Sequence, residues 1–251
     1  MLSDKIRLEK GKYLLPSLMT TANIFCGFYG IIAAVSGRFY QASFAVLVAV
    51  VFDFFDGRIA RWTNSTSDFG IEYDSLADLL SFGVAPGLLL YAWTLQSLGK
   101  VGWLATFFFI IGGALRLARF NVQAGEDGSF DFTGLPIPAA AGLIASLVIL
   151  GREFIVLENL HPLVIVLLTC LLTVLMVSKI RYRSLKHIEL RHKKPLLVVV
   201  TLLLSLYVLT SIPELALFLT FLLYAFSGPF EQVFFRQRYR TASALDMEED
   251  F

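Results

Sequence analysis

The chain has 251 residues, 57% of them apolar and 14% aromatic, and its 21 Lys and Arg and 20 Asp and Glu leave it with only 16% charged residues. A water-soluble domain carries about 25% charge. That shortfall, with a mean hydropathy of +0.71 and repeated apolar runs, excludes a soluble enzyme, a nucleic-acid binder and a disordered scaffold. The formal net charge of +1 says nothing of partners, because in a membrane chain the placement of Lys and Arg matters more than their sum.

Apolar stretches of about 20 residues are needed to cross the hydrocarbon core as helix. Eight segments approach that length: Leu14–Val35, Phe39–Trp62, Tyr73–Leu95, Val101–Phe120, Pro136–Leu150, Leu160–Ile180, Pro195–Ile212 and Pro213–Phe235. The expected fold is therefore all-α, a polytopic bundle of about eight transmembrane helices. The fifth segment is the shortest. With the N-terminus in the cytoplasm, all but Arg38, Lys100 and Arg152 of the 21 cationic residues fall on the inner side, so both termini and the basic run Lys179–Lys194 are expected there. Residues 1–13 mix apolar and basic side chains and suit a short helix on the inner leaflet. The same basic stretch followed by apolar residues has the order of a signal peptide, but the apolar region is too long and carries Ser17, Thr20, Thr21 and Asn23.

The last two segments offer almost nothing for chemistry and read as packing and anchoring, and residues 236–251 as a cytoplasmic tail. The basic run 179–194 serves topology or attracts anionic lipid. Cys26 and Cys170 lie inside apolar segments without metal-ligand spacing. His161, His187 and His192 have no partner spacing and read as surface residues. The sequon at Asn64 falls in a loop expected to be cytoplasmic.

Ionisable residues at membrane depth are costly and mark function by default. Asp53 and Asp56 are three apart and Asp74 and Asp78 four apart, which on helices puts each pair on one face. Two helices joined by a short loop thus aim four carboxylates at one point. So many like charges cannot all ionise unless cations neutralise them. Oxygen-only donors select hard ions, Mg²⁺ or Mn²⁺, over Zn²⁺, and two such ions about 4 Å apart form a phosphoryl-transfer clamp, so a phosphate substrate is expected. Gly57 and Ala60 permit a flat group to approach the backbone, or close helix packing. Gly70 similarly opens the start of the third span. Arg61 matches phosphate oxygens, while Arg58 and Arg61 both also fit anchoring at the inner face.

The spacing Asp53-x2-Asp56-Gly57-x2-Ala60-Arg61-x8-Gly70-x3-Asp74-x3-Asp78 resembles the signature of the CDP-alcohol phosphatidyltransferase family, with all eight positions matched. The segments LLPSLMTTANIFCGFYGI, DSLADLLSFGVAPG and RLARFN…FTGLPIPAAAG are similar to the serine-using bacterial and archaeal branch, and the resemblance covers roughly residues 10–150. It implies a six-helix catalytic core at 14–180, two additional helices at 181–235, and a homodimer. It implies further that Asp53, Asp56 and Asp74 hold two divalent ions, with Asp78 both ligand and general base. Gly57, Ala60, Arg61 and Ser67 would receive the cytidine and diphosphate of CDP-diacylglycerol. Ser17, Thr20 and Asn23 would close over the nucleotide, or hydrogen-bond between helices.

The implied reaction is attack of the L-serine hydroxyl on the lipid-bearing phosphorus, with CMP released at the cytoplasmic face of the cell membrane. Arg116, Arg119 and Asn121 are candidates for serine binding, although anchoring explains both arginines. Another alcohol acceptor (choline, inositol or glycerol phosphate) is the alternative within this chemistry. An ion transporter built on the aspartates is the alternative outside it; it predicts repeat symmetry and polar last spans, which the sequence lacks.

Overall fold

The computed structural model describes residues 2–62, 67–124, 134–153, 161–180, 182 and 212–246, with side chains described outside 2–15, 60, 61, 124 and 233–246. Among these residues the regular elements are all helical. In chain order they are α1 (Leu2–Val35), α2 (Phe39–Trp62), α3 (Asp68–Asp78), a π-helical turn (Leu79–Val84), α4 (Ala85–Trp93), a 3₁₀ turn (Leu95–Leu98), α5 (Lys100–Ala124), α6 (Ile137–Glu153), α7 (Pro162–Val177) and α8 (Pro213–Asp246).

Six of the eight expected spans have their own helix, and a seventh, 73–95, is the composite of α3, the π turn and α4; the expected span 195–212 lies almost wholly outside the described residues. Four stretches are both long and apolar enough to cross a bilayer, Pro16–Val35, Asp68–Trp93, Lys100–Gln123 and Pro213–Gln232, and Pro162–Val177 is a shorter apolar helix. α2 has the length, 24 residues, but carries Asp53, Asp56, Arg58 and Arg61 in its C-terminal half. Large apolar side chains such as Phe25, Phe44, Phe54, Leu76, Trp103 and Phe107 are exposed, as expected where the surrounding solvent is lipid tail.

Three boundaries differ clearly from the sequence reading, the first being that α8 continues to Asp246, through much of the stretch read as a tail, instead of ending at Phe235. Residues 2–13 do not form a separate helix: α1 runs unbroken from Leu2 through Pro16 to Val35. The helix expected from Tyr73 begins at Asp68, because Ser67 caps it by accepting a hydrogen bond from the Gly70 N–H at 3.1 Å. Asp68 in the first turn complements the helix dipole there.

α6 is the centre of the bundle. It has 17 residues, of which Ile137, the run Ala139–Leu150 and Gly151 are all buried. A helix apolar on every side belongs in the interior, and one that protein surrounds need not match the bilayer thickness. That explains why the shortest expected span is the best enclosed. α2, α4 and α8 pack around it. Gly142 receives the ring of Phe221 from α8, where a Cβ would meet Phe221 Cδ1 at 2.8 Å.

α1 and α2 form an antiparallel pair turned by Gly37, whose φ of +74° is a left-handed conformation that glycine adopts without steric cost. At Gly27, α1 approaches the π turn so closely that a Cβ would lie 2.8 Å from Ser81 Cα. Gly27→Ala is therefore expected to cost about 1–3 kcal/mol through overpacking, read as a lowered Tm in detergent. An unchanged Tm would mean that the two backbones are free to separate.

Candidate active site

The carboxylates come together as the helical spacing requires. Asp53 and Asp56 project from the C-terminal half of α2, and Asp74 and Asp78 from α3. Asp53, Asp56 and Asp74 can each offer an oxygen such that all three atoms lie within 4.8 Å of one another. Asp78, one turn beyond Asp74, is buried and within hydrogen-bonding reach of Asp53. The π turn begins immediately after it; such turns interrupt helices most often at functional sites.

The donor set fits divalent metal. Asp74 Oδ1 and Asp78 Oδ1 are buried without a partner among the described residues, and buried acceptors without donors are costly. Arg116 is the buried cation among the described residues and lies within electrostatic reach of Asp53 and Asp78; one guanidinium beside a group of four carboxylates leaves excess negative charge. Neither His nor Cys belongs to the cluster, so its chemistry is that of hard cations.

α1 lies across from the cluster. The Thr20 hydroxyl is buried with two acceptors in reach, the Pro16 carbonyl at 3.1 Å and Asp56 Oδ2 at 3.2 Å. Thr20 thus touches a metal-type carboxylate directly, an orienting contact that the sequence reading did not assign. Groups that hold a ligating carboxylate typically change metal affinity 10–100-fold when removed. Thr20→Val is accordingly expected to raise the Mn²⁺ concentration for half-maximal activity about tenfold or more, measured by metal titration at saturating substrates. No change would make Thr20 a packing residue.

Asn23, one turn along α1, is fully buried, its side-chain amide atoms without a partner among the described residues, while its backbone carbonyl accepts from Ser81 Oγ at 3.0 Å. Ser17 sits on the same helix, half-buried. Thr21 meets the hydroxyl of Tyr73 at 3.0 Å. Gly57 follows Asp56 on α2 and is half-buried. Ala60 and Arg61 lie on the last turn of α2, and their side chains fall outside the described residues. The Ser67 hydroxyl is engaged in capping α3, and Gly70 supplies the N–H it binds.

The candidates on α5 diverge. Arg116 is buried, within electrostatic reach of Asp53 and Asp78, and its Nε has no partner among the described residues. Arg119, three residues on, donates instead to the carbonyls of Val177 at 2.8 Å and Ser178 at 3.4 Å, where a cation complements the open C-terminus of α7. Of the two arginine candidates, Arg116 lies beside the carboxylates and Arg119 at the end of α7. Asn121 binds Ser75, its Nδ2 donating to Oγ at 3.0 Å, and so ties the end of α5 to the neighbour of Asp74.

Two tyrosines were not foreseen. Tyr224 of α8 is within electrostatic reach of Arg116, and its ring centroid lies 5.9 Å from that of Tyr182. The Tyr182 hydroxyl in turn donates to the Ala225 carbonyl at 2.9 Å. α8 thus brings one phenol, that of Tyr224, near Arg116. The available signal was a polar-tipped aromatic inside an otherwise apolar segment.

A helical membrane bundle holding an oxygen-only aspartate cluster against a buried arginine defines a membrane enzyme class that handles phosphate esters with divalent cations. The family model for CDP-alcohol phosphatidyltransferase matches residues 13–175, and the chain belongs to that family, whose members use divalent metals. It is 41% identical over 207 residues, 82% of this chain and 86% of the relative, to a CDP-diacylglycerol--serine O-phosphatidyltransferase of Helicobacter pylori. It is 37% identical over 172 residues to the enzyme of that name from Bacillus subtilis, covering 68% of this chain and 91% of the relative. An archaetidylserine synthase of Methanothermobacter thermautotrophicus is 40% identical over 139 residues, 55% of this chain and 58% of the relative.

Proposed function

We propose that this protein transfers the phosphatidyl group of CDP-diacylglycerol to L-serine and releases CMP. The observation that carries the reading is the juxtaposition of the Asp53, Asp56 and Asp74 cluster with Asp78 and the buried Arg116. The names of its relatives support the acceptor: bacterial and archaeal alike, they contain serine, while the lipid differs.

Asp53, Asp56, Asp74 and Asp78 would hold two divalent ions, Mg²⁺ or Mn²⁺. These supply neutralisation of the diphosphate and of the departing phosphate. Gly57, Ala60, Arg61 and Gly70, with Ser67, receive the cytidine diphosphate from the α2–α3 side, and Ser17, Thr20 and Asn23 face it from α1. Asp78 takes the proton of the serine hydroxyl as that oxygen bonds to the lipid-bearing phosphorus, and the bond from this phosphorus to the CMP oxygen breaks. Its buried, unpartnered oxygen suits a base that must hold no other donor. CMP leaves as an anion, and the transferred proton returns to water through Asp78.

Arg116 is assigned to the serine carboxylate, and Arg119 and Asn121 are left to their contacts with the α7 terminus and with Ser75. Loss of one charge-assisted hydrogen bond costs about 1.5–3 kcal/mol. Arg116→Ala should therefore raise the KM for serine about ten- to hundredfold with a smaller change in the KM for CDP-diacylglycerol. Equal changes in both would remove Arg116 from the acceptor site.

The cationic distribution supports an inner-membrane protein with the carboxylates on the cytoplasmic side. There the acyl chains stay in the bilayer while serine and CMP exchange with water. The family resemblance supports a homodimer, which cross-linking in native membranes tests.

The deciding experiment is CMP release from CDP-diacylglycerol by purified protein with Mn²⁺, supplying serine, choline, inositol and glycerol 3-phosphate one at a time. Release with serine alone is expected. Release with another alcohol would reassign the acceptor, and none with any would overturn the transferase reading.

A further inference from the structure

At the end of the bundle opposite the aspartates lies a cavity of about 380 Å³ where the α1–α2 turn, the end of α4 and the end of α6 meet. Tyr40 on its wall and Asp53 in the metal cluster are thirteen positions apart on α2, about 20 Å along the axis, so the cavity is separate from the catalytic centre.

Its lining includes Arg38 and Arg152. In the orientation proposed above, only three of the 21 cationic residues lie on this side, against the usual bias of short loops, and two of those three converge on one cavity. The nearby Glu153 does not line it. Both guanidinium groups lie near aromatic rings, Arg152 at 5.1 Å from the Tyr40 centroid and Arg38 at 6.0 Å from that of Tyr29. A guanidinium held against a ring keeps its N–H edge free for oxygen ligands.

Trp93 also lines the cavity, its ring so close to Gly151 that a Cβ there would sit 2.9 Å from Cζ2. An indole at this level is typical of the membrane–water interface. Phe44, one turn deeper on α2 than Tyr40, is exposed and gives an acyl chain an apolar surface that continues from the cavity.

We propose that this cavity binds the phosphate of an anionic phospholipid from the leaflet facing away from the active site, with Arg38 and Arg152 as its ligands. The headgroup phosphate and free phosphate share the same recognition chemistry; the apolar surface at Phe44 favours the lipid. The site is independent of the transferase reading and uses the proposed orientation only to say which leaflet supplies the lipid.

The test is thermal unfolding of the full chain in detergent with dioctanoyl phosphatidylglycerol, dioctanoyl phosphatidylcholine or inorganic phosphate. A saturable rise in Tm with phosphatidylglycerol alone is expected, reduced by at least half in the Arg38→Gln/Arg152→Gln protein and retained in the Arg38→Lys/Arg152→Lys protein. CMP release by the glutamine variant should match wild type in phosphatidylcholine vesicles. The proposal is overturned if the glutamine variant keeps the full rise, if phosphatidylcholine gives it equally, or if inorganic phosphate alone reproduces it. A photoreactive phosphatidylglycerol provides a readout on the unmodified chain. Label on residues 37–44 or 148–152 supports the site, and label confined to the aspartate end overturns it.

Discussion

Replacing Asp78 by Asn should lower kcat about 10²–10⁴-fold, the contribution expected of a general base, while CDP-diacylglycerol still binds. The amide keeps the volume of the carboxyl and can still meet Asp53, but it cannot accept the serine proton. Asp78 is also a proposed metal ligand, so kcat must be measured across a Mn²⁺ titration. A deficit that persists at saturating metal identifies proton transfer, whereas recovery of full turnover at high metal would reduce Asp78 to a ligand. Wild-type turnover at all metal concentrations would remove it from the mechanism.

Removing the divalent ions should abolish turnover altogether, and Asp56→Asn should reproduce most of that loss at low metal. Asp56 is the buried member of the triad and the one held by Thr20. Without cations the carboxylates face each other in a site where repulsion is poorly screened. Chelation is therefore expected to lower Tm as well as activity, and Mg²⁺ or Mn²⁺ to restore both; saturation at 100 times Kd stabilises by about 2.7 kcal/mol. Zn²⁺ is expected to serve poorly at an all-oxygen site. Activity surviving exhaustive chelation would exclude the two-metal reading. Asp56→Asn that behaves like wild type at limiting Mn²⁺ would confine the ions to the other carboxylates.

Both predictions rest on residues that the sequence alone singles out. Spacings of three and four on helices are local properties, since a helix places side chains every 100° whatever it packs against. Asp53 with Asp56 and Asp74 with Asp78 could therefore be paired before any fold was known, and a short loop brought the pairs together. The apolar segments were legible for a similar reason: in lipid each backbone must satisfy its own hydrogen bonds, so composition over about 20 residues sets the helix.

Where the local rule met a second helix, it stopped deciding. Arg116 and Arg119 have equal claims by spacing, yet packing gives Arg116 the aspartates and Arg119 the C-terminus of α7. Nothing near Thr20 in sequence announces Asp56, thirty-six positions away. Tyr224 lies beyond the family match at 13–175 and reaches Arg116 only because Gly142 and Gly228 let α8 settle onto α6 and Tyr182.

The sequence by itself determined the membrane setting, the all-helical class and the carboxylate centre, because each follows from periodicity and composition within single segments. The tertiary structure alone decided which arginine lies beside the carboxylates, which hydroxyl meets Asp56, and that Arg38 and Arg152 share a cavity. Those outcomes depend on helix rotation and close approach, and these are fixed by the small residues and side-chain shapes of neighbouring helices rather than by any one helix's own order.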